Sequence, residues 1–532
     1  VKMKKNSVSR RDFLAASGAS VAAGLTSAKA ATETPAANPV KKPNLVFFMP
    51  DELRAEGIAS YGNPVVKTPN IDRLAGEGTR FSHCYVQNPV CGPSRCSLMT
   101  GWPVHVHGHR SLYYFLRPDE PNLFRYLKQN GYDVFWYGKN DLLASQSFAE
   151  SVTEWGSHPG RGRPRSGTKN PWQLNDPHYY SFLYEEGGDR RDYSDWGNVQ
   201  AGIRVLERDH DKPFCIFLPL GSPHPPYTAP QGFHDLYDPA KLPPLRPMGL
   251  PNKPNFYDAI RKNFHLEPLG EDVFRKIQAV YLGKVSYTDW LLGELLEAIE
   301  KTGHADDTAV FLFSDHGDWA GDYGLVEKWP SALDDVLTHI PLVVRLPGGK
   351  EGHVSQEIVE LYDVMATSLE LAGIEARHTH FARSLMPQLH GEPGDPGRAA
   401  FSEGGYNVYE PQCFEPANLT PRAIYYVKEK LEVDHPETVS RAAMIKTPGH
   451  KLVMRPGGRS ELYDVAKDPR ELHNVYGDRT YASAQQNLIA RLLQWYVLTA
   501  DVAPPDKDPR GSPPYYPSAH FKRDNWQKKI LD

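Results

Sequence analysis

Cysteine is scarce: five occur in 532 residues, an odd number too small for a disulfide framework to hold the chain together. A basic excess is missing as well. Lys+Arg 60 stand against Asp+Glu 65, a net charge of −5. That balance excludes the electrostatic footprint of a nucleic-acid binder. No apolar run reaches the ~20 residues a bilayer demands, so no transmembrane anchor is expected. Internal repeats are also absent, which excludes a solenoid. What is present is globular: 40% hydrophobic and 23% charged residues, with Gly 43 and Pro 47 supplying many loops.

The N-terminal residues read as an address. Lys4 and Lys5 precede Ser9-Arg10-Arg11-Asp12-Phe13-Leu14, and a small-residue apolar stretch covers 13–25. Ala28-Lys29-Ala30 follows. Charge, apolar stretch and A-x-A site, in that order, make an export signal over 1–30. The paired arginines resemble a twin-arginine signal, so a periplasmic or extracellular protein is expected. Removing that signal takes away six basic residues and one acidic residue, and the net charge falls from −5 to −10. Residues 31–43, rich in Ala, Thr and Pro, read as a linker.

Apolar runs at 44–49, 132–137, 213–218, 308–313 and 340–346 read as strands, most of them buried. Helical spacing marks 71–81, 122–131 and 358–372. Phe274, Ile277, Tyr281, Val285, Thr288, Leu292, Leu295 and Ile299 recur in steps of three and four and mark one long amphipathic helix. Alternating strands and helices predict an α/β fold with a mostly parallel sheet sandwiched by helices. Such sheets place ligands at the carboxyl ends of strands. Residues 156–195 and 226–270 read as long loops. From about 435 the pattern changes to short strands at 442–446, 451–455 and 461–464, with a helix over 482–498. The expected division is a catalytic domain over 44–434, a smaller C-terminal α+β subdomain with a short antiparallel sheet over 435–503, and a Pro-rich tail over 504–532.

The strand ends carry the chemistry. Asp51 and Glu52 follow the first strand, Lys139 the second, His224 the third, and Asp315 and His316 the fourth. The carboxylates are hard donors that suit Ca²⁺ or Mg²⁺, and His316 adds a nitrogen that also suits Mn²⁺ or Zn²⁺. Cys91-Gly92-Pro93-Ser94-Arg95 opens a helical stretch, with Pro93 fit for its first turn. Cys91 then stands at a helix N-terminus, where an anion is favoured. Read alone, it is equally a packing cysteine.

Cys91-x-Pro93-Ser94-Arg95 with Thr100-Gly101 resembles the signature of the formylglycine-dependent type I sulfatases, of the alkaline phosphatase superfamily. The likeness extends along the chain. Pro50-Asp51-Glu52 and Thr68-Pro69-Asn70-Ile71-Asp72-Arg73 are similar to the family's opening block. Tyr137-Gly138-Lys139, Ser222-Pro223-His224, Ser314-Asp315-His316-Gly317, Glu327-Lys328 and Ile340-Pro341-Leu342 resemble its middle motifs. His450-Lys451-Leu452, Glu461-Leu462-Tyr463-Asp464 and Asp468-Pro469 with Glu471-Leu472-His473-Asn474 resemble its C-terminal part.

The resemblance implies an alkaline-phosphatase-like fold and hydrolysis of sulfate esters. It implies that a maturation enzyme oxidises Cys91 to formylglycine, whose hydrate attacks sulfur and later expels sulfate. It assigns Ca²⁺ to Asp51, Glu52, Asp315, His316 and modified Cys91. By the same resemblance Lys139 and Lys328 hold the sulfate, Arg95 stabilises the hydrated aldehyde, Asp315 helps deprotonate it and His224 serves the leaving alcohol. These cations are the local positive charge that an acidic protein needs in order to hold an anion.

Three departures bear on this. Glu52 stands where the family usually has Asp, one methylene shorter. Asp141 stands where many members have His, and is read as touching substrate or orienting Lys139. His316 stands where Asn is frequent, a feature of relatives that cleave phosphonate and phosphate diesters.

On the substrate side, His107 (with His105 and His109), Glu403 and Tyr406 are expected to line the pocket; the alternating histidines are equally an exposed loop. Arg161, Arg163, Arg165 and Lys169 with Trp155 and Trp172 read as a sulfated-sugar loop or a solvated one. Three functions follow: a sulfatase of sulfated carbohydrate, a phosphonate monoester or phosphodiester hydrolase, or a non-catalytic glycan binder if Cys91 stays a thiol.

Overall fold

The computed structural model describes residues 42–161, 169–415 and 420–504. The expected signal, nearly all of the linker and all but residue 504 of the tail lie outside them.

Strands β1 (Asn44–Asp51), β2 (Thr79–Tyr85), β3 (Asp133–Tyr137), β4 (Glu154–Gly156), β5 (Phe214–Pro223), β6 (Thr308–Phe313), β7 (His339–Arg345) and β8 (His353–Glu360) form one sheet. Their order is β4-β3-β5-β1-β6-β7-β2-β8. Every pairing is parallel except those of β7, which runs against β6 and β2.

β1 shows why the sheet is covered on both faces. All eight of its residues are buried. Val46 and Phe48 point into one core with the helices Ser194–Leu206 and Glu271–Lys301. Leu45, Phe47 and Met49 point into the other, with Leu123–Gln129, Asp363–Leu371 and the end of Cys91–Thr100. Period-two alternation thus feeds two apolar layers, and each fully buried Val, Leu or Phe contributes roughly 1.5–3 kcal/mol.

A second, antiparallel sheet runs β12-β11-β10-β9, from β9 (Ala400–Gly404), β10 (Ala442–Lys446), β11 (His450–Met454) and β12 (Glu461–Asp464). Leu488, Leu492 and Trp495 of the helix Ala482–Thr499 pack on Ile445, Leu452 and Leu462. The expected α/β fold with a small antiparallel sheet is present. The small sheet takes its first strand, β9, from ahead of residue 435.

Two expected helices are shorter than their apolar spacing. The helix Pro69–Glu77 stops before Gly78, and Phe81 belongs to β2. A Cβ on Gly78 would lie 2.3 Å from the Val344 carbonyl oxygen, so only glycine permits the close approach of β7. Ile358 and Val359 lie in β8, paired with β2, and the following helix begins at Asp363. Short apolar runs satisfy both periods, and pairing with β2 decides. Within the expected loop 226–270 there is also a helix, Phe256–Asn263.

The parallel core brings the carboxyl ends of β1, β3, β5 and β6 to one edge. Asp51, Lys139, His224 and Asp315 stand there. Among the described residues no helix is long and apolar enough to cross a membrane.

Candidate active site

Cys91 opens its helix from an extended Val90, whose N–H donates to Asn88 Oδ1 at 2.9 Å. Every residue of Cys91–Thr100 is buried, and Gly101 ends it in the left-handed region. The helix therefore aims its first side chain at the sheet edge. Cys91 Sγ lies 3.1 Å from His316 Nε2, 3.4 Å from Asp51 Oδ1 and 3.6 Å from Lys139 Nζ.

One turn later Arg95 points the same way and is 1% exposed. Its Nε and Nη2 each lie 2.8 Å from Asp315 Oδ2, and Nη2 lies 3.1 Å from Asp51 Oδ2. Asp315 Oδ1 accepts the backbone N–H groups of Glu52 and His316 at 3.2 and 3.0 Å. His316 Nδ1 donates to the Gly317 carbonyl at 2.8 Å, which leaves the Nε2 lone pair facing Cys91.

Glu52 adopts φ 67, a left-handed conformation that costs a non-glycine residue of order 1–3 kcal/mol. Its Oε1 meets Lys328 Nζ and lies 3.2 Å from His224 Nε2. Its Oε2 is buried with no hydrogen-bond partner. Lys328 Nζ also donates to Glu327 Oε1 at 2.7 Å and lies 3.3 Å from His224 Nε2. Lys284, from the long helix, donates to the carbonyls of His224 and Pro226 and holds that loop.

Burial dominates the electrostatics, and the ion pairs decide its outcome. Burial alone would lift Asp51, but Lys139 and Arg95 hold its carboxyl well below the usual range. Glu52 goes the other way: burial, with Asp318 and Glu327 nearby, outweighs Lys328 and raises it. Burial also pushes Asp318 up to about 6. Burial, joined by Asp51, pushes the Cys91 thiol up and suppresses its thiolate. His224 is kept neutral by burial and by Lys328 and Lys139. Burial opposes the charge on Lys139, yet Asp51 keeps it protonated.

Ligand atoms of Asp51, Glu52, Cys91 and His316 all lie within 4.8 Å of one another. Hard carboxylate oxygens and an imidazole converging on one point are a donor set that fits a divalent cation. Cys91 Sγ stands in for the oxygen that an oxidised residue would present. Asp315 adjoins these four: its Oδ2 lies 4.0 Å from His316 Nε2, and Arg95 and two backbone N–H groups hold its oxygens at the same edge.

Other expected residues stand elsewhere. His107 stacks on Trp102 and pairs with Glu120 at 3.3 Å. Glu403 is buried, accepting from His105 Nδ1 at 2.8 Å and from the Tyr496 hydroxyl at 3.0 Å. Tyr406 is buried and donates to Glu415. None of the three contacts the Cys91 cluster: His107 is exposed, and burial demanded hydrogen-bond partners for Glu403 and Tyr406. Asp141 lies 2.9 Å from Lys139 Nζ. Arg161 covers the Trp196 ring, and Arg163 and Arg165 lie outside the described residues. The supports Lys284, Asp318 and Tyr227 carry no sequence signal, for nothing in their local pattern differs from an ordinary core.

Residues 43–374 match the sequence model of the Sulfatase family. An N-acetylglucosamine-6-O-sulfatase of Bacteroides thetaiotaomicron is 25% identical, covering 90% of each chain. A structure solved with its substrate D-glucosamine-2-N,6-O-disulfate has a TM-score of 0.67 at 23% identity, covering 88% of this chain and 100% of that one. The phosphonate monoester hydrolase of Agrobacterium radiobacter has a TM-score of 0.66 at 21% identity, covering 86% and 96%. With its family match spanning more than half its length, the chain belongs to the sulfatases of the alkaline phosphatase superfamily and is a sulfuric ester hydrolase.

Proposed function

We propose an exported sulfatase that hydrolyses sulfate monoesters on carbohydrate, with formylglycine made from Cys91 as nucleophile. Ca²⁺ is the cation proposed, with Asp51, Glu52, Asp315, His316 and modified Cys91 holding it. The carrying observation is the meeting of Asp51, His316 and Lys139 around Cys91 Sγ, all within 3.6 Å. The glucosamine-sulfate relative supports the sugar class. The Arg10-Arg11 signal and Ala28-Lys29-Ala30 support export, and the division at 435 is kept as a proposed subdomain boundary.

When bound, the cation would make an oxygen at position 91 a better nucleophile and draw charge from the sulfate. The protein supplies the rest. A sulfate ester repels nucleophiles through its anionic oxygens, and Lys139 and Lys328 offset that charge from two sides. Arg95 holds Asp51 and Asp315 in register. His224 holds its Nδ1 proton on the Pro225 carbonyl at 2.6 Å, so Nε2, beside Lys328 Nζ at 3.3 Å, is the atom turned to orient the leaving alcohol. Asp141 keeps Lys139 aimed.

Mass spectrometry of the peptide around residue 91, taken from the native host, tests the nucleophile. An aldehyde or its hydrate is expected. A thiol alone, with no turnover, would leave a glycan binder. Rates on matched aryl sulfate and aryl phosphonate esters test the substrate. His316 and the likeness to a phosphonate hydrolase favour a second reading, phosphonate monoester or phosphodiester hydrolysis, which a strong phosphonate preference would establish.

A further inference from the structure

Lys328 is gripped at both ends by one carboxylate. Glu327 Oε2 accepts the Lys328 backbone N–H at 2.9 Å, and Oε1 accepts its Nζ at 2.7 Å. Glu327 reaches both because its backbone sits at φ 63. That strained turn is pinned: the Glu327 N–H donates to the Tyr227 hydroxyl at 2.8 Å, which donates to Asp318 at 2.7 Å. Strain of this kind persists only where the surroundings over-determine it.

Lys328 Nζ therefore meets the Glu327 carboxylate on one side and Glu52 Oε1 on the other. Glu327 alone offsets the ammonium charge, and left so an arriving sulfate meets little attraction. Behind Glu327 lies a second buried cation. Lys428 Nζ stands 3.3 and 3.5 Å from the two Glu327 oxygens. Lys428 is 4% exposed, and burial opposes its charge, but Glu327 and Glu415 hold its pKa above the ordinary lysine value. It comes from the helix Tyr426–Asp434, beyond the residues that match the family.

We infer that Lys428 is a positioning residue that acts through Glu327 on Lys328. It offsets Glu327, so that Glu327 orients the Lys328 ammonium without capturing it, and the ammonium stays available to the sulfate group of the substrate. This rests on the reading that Lys328 meets sulfate. Lys428 itself touches neither substrate nor nucleophile.

The test uses full-length matured protein as wild type, K428M, K428R, E327Q and the double variant E327Q/K428M. An aryl sulfate gives kcat and KM, inorganic sulfate gives a competitive Ki, and thermal unfolding reports folding. K428M is expected to raise KM and the sulfate Ki together by about tenfold, with kcat changed by less than about threefold, because ground-state anion binding is what it loses. K428R is expected to recover most of that loss. The double variant is expected to match E327Q, since the effect passes through that carboxylate. Unchanged KM and Ki in a folded K428M would overturn the inference. If K428M fails to fold, E327Q against the double variant decides, and a further tenfold rise in KM overturns it. If the wild type cleaves aryl phosphonate and not sulfate, the substrate reading fails separately. The same comparison then runs with phosphonate and inorganic phosphate.

Discussion

Arg95 bridges Asp51 and Asp315, the two carboxylates that end the adjacent strands β1 and β6. A single guanidinium from the helix that Cys91 opens thus ties the centre of the sheet edge together. Arg95→Met leaves two buried carboxylates without it, and a loss of about 3–5 kcal/mol is expected. Arg95→Lys keeps the charge but cannot fork to both, so an intermediate loss is expected. Denaturant unfolding measures each. An unchanged midpoint for Arg95→Met would refute the bridge as a structural element.

Removing the metal should cost both rate and stability. Dialysis against a chelator is expected to abolish turnover and to lower the thermal midpoint, since a ligand that binds only the folded state stabilises it by mass action. Calcium should restore both. Mg²⁺, Mn²⁺ and Zn²⁺, added in turn, rank the alternatives. Full activity after metal loss, verified by elemental analysis, would rule out a catalytic cation.

Lys139 and Asp141 divide one task. Lys139→Met should lower kcat/KM by about 10²-fold or more, as losing one electrostatic contact to a developing charge does. Asp141→Asn should cost less, about tenfold or under, because it orients Lys139 and the Asp51 pair remains. Steady-state kinetics separate them, and an equal loss in both would place Asp141 on the substrate.

His339 predicts a pH effect away from the site. Its Nε2 donates to the Ser82 carbonyl at 2.8 Å, and its ring stacks on Tyr85. Burial lowers its pKa to about 4, with Asp335 opposing and His83 and Lys446 assisting. The unfolded chain therefore binds a proton that the folded chain refuses between about pH 6.5 and 4. Stability is full above that window and falls as pH drops through it, by roughly 2 kcal/mol for a partly exposed ring. His339→Gln should flatten that stretch of the stability profile. Equal slopes for variant and wild type would discount His339.

The strand ends were legible from sequence because buried parallel strands are continuous apolar runs, and residues such as Asp51, Lys139 and Asp315 interrupt them abruptly. The Cys91 motif was legible because Pro93 and Gly101 bound a helix that places Arg95 one turn from Cys91. The helix bounds near Phe81 and Ile358 were not legible, since β2 and β8 exist only by pairing with strands distant in the chain. His107, Glu403 and Tyr406 read as pocket residues because hydroxyl, carboxylate and imidazole groups look alike whether they face a substrate or each other.

Local pattern alone settled the α/β class and the family signature, because periodicity and spacing are properties of neighbouring residues. Tertiary structure decided which charges meet. The pairing of Arg95 with Asp315, the meeting of Lys328 with Glu52 and the approach of Lys428 to Glu327 span contacts between segments far apart in sequence. Coulomb interactions depend on distance in space and on burial, and neither is written in the order of residues.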